Sequence, residues 1–141
     1  MGDSNGVAGD GTLRDPLADV PDSTVHIDPD GVVRLRWRAG VHISGPAARA
    51  AAAEVNALCA GSRHPMLVDM TATASVTREA RTVFTEPSAA SLIALLGTSP
   101  VDRVVANFIL GVSKMPTPTK FFTKESEAMA WLRNGDRDRA A

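Results

Sequence analysis

A chain of 141 residues with 15 Lys+Arg against 16 Asp+Glu and a single cysteine is sized for one domain with a real core. The lone Cys59 excludes an intrachain disulfide and a thiolate metal cluster, and the near-zero charge argues against nucleic-acid binding through phosphate neutralisation. No apolar run approaches membrane-span length, and no basic patch leads into an apolar block as a secretory signal would, so the expected location is the cytoplasm.

Residues 1–23 are rich in Gly and Asp and lack periodicity, which predicts a flexible acidic tail. Order is expected from Thr24 to Asn134, with 135–141 as a short C-terminal tail. Val25 and Ile27, then Val33, Leu35 and Trp37, alternate with polar residues around Asp28-Pro29-Asp30-Gly31. This predicts a tight hairpin whose second strand turns Arg34, Arg36 and Arg38 to the wet side.

Ser44-Gly45-Pro46 opens a helix whose inner stripe is Ala48, Ala51, Ala52, Val55, Leu58 and Cys59, ended by Gly61. Met66 to Met70 has the composition of a buried parallel strand ending at Asp69. Thr77 is positioned as an N-cap for a short helix burying Ala80, Val83 and Phe84 and stopping before Pro87. Ser91 to Leu96 is a second buried strand. From Ser99-Pro100, the residues Val101, Val104, Val105, Phe108, Ile109 and Val112 predict a helix with that stripe facing the core. Thr119 to Thr123 gives another strand, and a last helix with Ala128, Trp131 and Leu132 inside closes at Asn134-Gly135. The order β-β-α-β-α-β-α-β-α is α/β: a leading hairpin, then parallel strands in one mixed sheet.

Within that succession, Leu67-Val68-Asp69-Met70 leading into Thr77-Arg78-Glu79-Ala80-Arg81 is similar to STAS domains, the anti-sigma-factor antagonist type. So are Ser99-Pro100-Val101, Pro118 to Thr123 and Glu127 to Leu132. The likeness is to an uncharacterised bacterial STAS-like branch and spans most of the domain. It implies a STAS-like mixed sheet and a regulatory, protein-binding role. The family's phosphoacceptor loop carries Asp-Ser-Ser-Gly; here the loop reads Thr71-Ala72-Thr73-Ala74-Ser75-Val76-Thr77, and Ser75 and Thr77 are the nearest hydroxyls.

The strand-end loop is the expected recognition site, because strand ends and helix starts in open α/β sheets leave a crevice with free N–H groups. Its candidates are Asp69, Thr71, Thr73, Ser75, Thr77, Arg78 and Arg81, with Arg34, Arg36 and Arg38 as a secondary surface. His26, His42 and His64 have no metal-ligand spacing, Cys59 falls on a buried stripe, and no nucleophile, Walker or dinucleotide motif occurs. Asp69 is the one candidate general base, and it would need a converging His and Arg. The expectation is a non-enzymatic module without cofactor or metal. It recognises a protein partner or small ligand, acts as a homodimer and touches no nucleic acid. The alternative is a carrier with an apolar pocket under the Val101 to Val112 helix.

Overall fold

The computed structural model describes residues 21–110 and 117–140, with side chains up to residue 135. The expected acidic tail, up to residue 20, and Val112 and Met115 lie outside the described residues. Strands β1 (Ser23–Ile27) and β2 (Val33–Trp37) form the hairpin, antiparallel with Ile27 opposite Val33. Its turn is built as the residues require. Gly31 takes φ +81°, a conformation that Cβ disfavours, and the Asp28 carboxylate accepts the Asp30 and Val32 N–H groups at 2.9 and 3.0 Å.

After the hairpin come β3 (His42–Ile43), α1 (Gly45–Cys59), β4 (His64–Asp69), β5 (Ser75–Val76) and α2 (Arg78–Phe84). Then follow β6 (Ala90–Leu96), α3 (Pro100–Leu110), β7 (Thr119–Phe122) and α4 (Glu125–Ala140). The main sheet has the order β1-β2-β4-β6-β7, with every pair after the hairpin parallel. From β2 onward each step moves the same way along the sheet. Right-handed crossovers therefore put α1, α2 and α3 on one face, and α4 folds back across the other. Val33, Leu35, Trp37, Met66, Val68 and Leu95 point to the three-helix face; Leu67, Leu92, Ala94 and Leu96 meet Ala128, Met129 and Leu132 of α4.

Four details differ from the sequence reading. The two-residue strands β3 and β5 pair in parallel as a separate small sheet, too short to show periodicity. The last helix runs through Asn134-Gly135 to Ala140. Gly135 sits inside it because a Cβ there would run into the Leu92 side chain, so its glycine answers a close approach and not a helix stop. The third helix forms as expected, but only half of its apolar stripe is inside. Val105 and Ile109 are buried with Ala106 and Asp102, whereas Val101, Val104 and Phe108 are 62, 67 and 40% exposed.

The cause of that rotation is Asp102. Its Oδ1 accepts the Ala72 N–H at 3.0 Å, and its Oδ2 accepts the Thr98 and Ser99 N–H groups at 2.8 and 3.2 Å. Ser99 Oγ in turn accepts the Asp102 N–H. A buried carboxylate needs such donors, so Asp102 turns inward and takes Val105, Ala106 and Ile109 with it. On α1, Leu58 is likewise exposed, while Cys59 is buried and burial pushes its thiol pKa up.

Candidate functional site

The three-helix face encloses a cavity of about 140 Å³. Its floor is the sheet, with Leu35, Trp37, Met66, Val68, Met70 and Leu95, and its roof is α1 with Ala48, Ala51, Ala52 and Val55. Val83 and Phe84 of α2 and Ile109 of α3 close the sides. The void has a plain origin. Where α1 faces large sheet residues it offers alanine methyl groups, and α3 turns Val104 and Phe108 away from the core. Thin helix residues over a fixed floor leave space that neighbouring side chains do not fill.

The lining residues that reach solvent, Asn56, Glu86 and Pro87, mark the mouth, with Ser88 half-buried beside them. Asn56 Oδ1 accepts the Ala89 N–H at 3.0 Å and so joins the end of α1 to the turn leading into β6. Glu86 is the sole ionisable side chain among the lining residues, and it stands at the rim. Apart from Asn56, Glu86, Ser88 and Thr119, the lining residues are apolar.

The strand-end loop is assembled differently. Backbone bonds from Gly40 to Ala72, from Ala74 to Val41 and from Thr77 to Ile43 stitch it to the segment ahead of α1. Asp69 meets Arg36 at 3.3 Å and accepts the Thr71 N–H, Ser75 Oγ lies 2.7 Å from His42 Nδ1, and Thr77 caps α2 through the Ala80 N–H. Thr73 is buried, with no hydrogen-bond partner for its Oγ1 among the described residues. Arg78 is exposed, and Arg81 lies over the Phe108 ring at 4.1 Å. Of the loop's candidates, Asp69, Ser75, Thr77 and Arg81 are thus already engaged within the chain.

On the α4 side, Thr24, His26, Arg34, Arg36, Asp69 and Glu125 line an open polar groove of about 490 Å³. Arg34 reaches Asp28 at 2.9 Å and Glu125 at 3.1 Å, Arg36 reaches Asp69, and Arg38 reaches Asp22 at 3.0 Å. Burial works against the Asp28 carboxylate, but the Arg34 hydrogen bond and the two backbone N–H groups outweigh it and hold its pKa below the ordinary range. Asp69, His26 and two arginines therefore share a groove. However, His26 is on β1 and Asp69 on β4 with β2 between them. Two strand spacings, about 9–10 Å, are too far for a base and its orienting partner to touch. Phe121 lies under Arg103 at 4.9 Å, and Phe122 packs on Trp131 with ring centroids 5.5 Å apart, so both are engaged within the chain.

The cavity was not named by any motif. Its walls come from eight elements, of which the sequence pointed only to the Val101 to Val112 helix as cover for an apolar pocket. Residues 25–135 match the model of a domain of unknown function (DUF7793). A protein of unknown function from Arthrobacter sp. FB24, known from a crystal structure, is 54% identical, covering 78% of this chain and 98% of that one, with a TM-score of 0.34. An uncharacterised protein of the DUF3478 family from Shewanella loihica PV-4, described as having a SpoIIAA-like fold, is 17% identical with a TM-score of 0.52. The match covers 78% of this chain and 91% of that one. That likeness shows the fold, which is the STAS type expected from the sequence. No curated protein matches the chain.

Proposed function

The chain belongs to DUF7793, a family of domains of unknown function, and from its own geometry we propose that it is a non-enzymatic module binding a small apolar ligand inside the three-helix face. One observation carries this reading: a cavity of about 140 Å³ lined mainly by apolar side chains, with exposed Asn56 and Glu86 among the lining. Left empty, such a void costs about 3 kcal/mol at roughly 24 cal/mol per Å³. That is a large share of the roughly 5–15 kcal/mol by which domains are stable. A dry cavity of about this size, near 150 Å³, takes up benzene. Met66 and Met70 in the floor add adaptable walls.

The test is thermal unfolding with hexanol or benzene, beside native mass spectrometry of the purified protein. A ligand at about 100 times its Kd stabilises by roughly 2.7 kcal/mol, so a clear rise in Tm is expected. Ala51→Leu, which fills the chamber from α1, is expected to melt higher on its own and to lose the response. A wild-type response no larger than that of Ala51→Leu refutes the reading.

A second reading, regulation through a protein partner at the loop and helix start, is favoured by one feature. Arg81 seated on Phe108 joins the strand-end loop to the exposed Val101 and Val104. If Arg81→Ala and Val104→Asp each abolish a partner captured by the wild type while leaving hexanol binding intact, this reading gains. If capture survives both substitutions, it is lost.

A further inference from the structure

We infer that the mouth selects the ligand's head group, favouring a neutral hydroxyl over a carboxylate, so that the ligand class is a small alcohol or phenol with about six carbons in its body. The inference rests on the apolar-ligand reading and deepens it. Three polar side chains stand at the rim, and with the Ser88 hydroxyl already accepting the Ala90 N–H, exposed Asn56 and Glu86 set the chemistry. Asn56 Oδ1 already accepts the Ala89 N–H, so what the amide has left to offer is its NH₂, a donor. Glu86 offers only an acceptor, and a negative one.

A hydroxyl accepts from the first and donates to the second, and therefore satisfies both. A carboxylate only accepts: it finds Asn56 but meets the charge of Glu86 as the cavity draws its chain out of water. An ammonium finds Glu86 and leaves Asn56 without an acceptor. The body follows from the chamber, whose volume suits one ring or a short chain and whose walls include the Trp37 and Phe84 rings. A long acyl chain exceeds that volume, which separates this class from membrane lipids.

Isothermal titration of the full chain with hexanol, hexanoate and benzene tests this. Hexanol is expected to bind about tenfold more tightly than hexanoate, since the Glu86 charge at the rim opposes a second carboxylate. Glu86→Gln keeps an acceptor, removes the charge, and sits at an exposed turn. It is expected to recover most of the hexanoate deficit, so that the ratio of the two affinities falls towards one. Equal affinities for hexanol and hexanoate, or a ratio that Glu86→Gln does not move, overturn the head-group inference while benzene binding keeps the cavity reading standing. Failure of all three probes to bind overturns both.

Discussion

The two faces of the central sheet carry helices of opposite build. On one, α1 lays Ala48, Ala51 and Ala52 over Leu35, Trp37 and Met66, and the mismatch in volume leaves a chamber. On the other, α4 brings Met129 and Leu132 against Leu67, Leu92 and Ala94, and Gly135 lets Leu92 press against the helix backbone. Both faces are apolar. What separates them is where the bulk sits: small on large without compensation in one case, large on large with a glycine to make room for Leu92 in the other. Side-chain volume, more than hydrophobicity, divides a face with a chamber from one without.

That contrast can be attacked from either side. The largest effect is expected on the tight face. Leu132 is fully buried, so Leu132→Ala should cost about 2–5 kcal/mol in denaturant titration. A loss under about 1 kcal/mol would mean that the tight face is looser than described. Next comes the anchor of the cavity face. Asp102→Ala releases three N–H groups and frees the start of α3, with an expected cost of about 2–3 kcal/mol and weaker hexanol binding as the wall loosens. Unchanged binding would show that α3 is not a working wall. Filling the chamber with Ala51→Leu should move stability the other way, by about 0.5–2 kcal/mol.

The smallest effect concerns neither helix layer but the hairpin. Asp28 has its folded pKa depressed, so its contribution to stability is present above its unfolded pKa and is lost as pH falls through the folded value. The wild type should therefore lose stability below about pH 4, and Asp28→Asn should flatten that part of the curve. The same acid slope in both proteins would place the titrating group elsewhere.

How much of this was legible in the sequence follows from the range of the interactions. The hairpin could be read because Asp28, Pro29 and Gly31 settle it within a few residues, and Thr77 because a cap acts across three. The α3 helix could be read, but its buried face could not. Val101, Val104, Val105, Phe108 and Ile109 are apolar on both sides, and the phase is chosen by a carboxylate bonded to Ala72, thirty residues earlier. Asp102 was hidden because a polar residue on a helix is ordinarily read as solvent-facing. The exception was signalled only by the Ser99-x-x-Asp102 spacing. An apolar pocket under the third helix could be offered as an alternative, but the chamber's roof of α1 and its rim of Asn56 and Glu86 could not, since a void is a difference between volumes contributed by distant segments.

The buried Cys59 is the only sulfhydryl in the chain, and it lies on the same helix that roofs the chamber. Its slow attack on thiol reagents makes it a built-in stopwatch: modification of the unaltered protein reports how often α1 lifts from the sheet. A ligand lodged beneath that helix would lengthen the interval, with no label or engineered probe required.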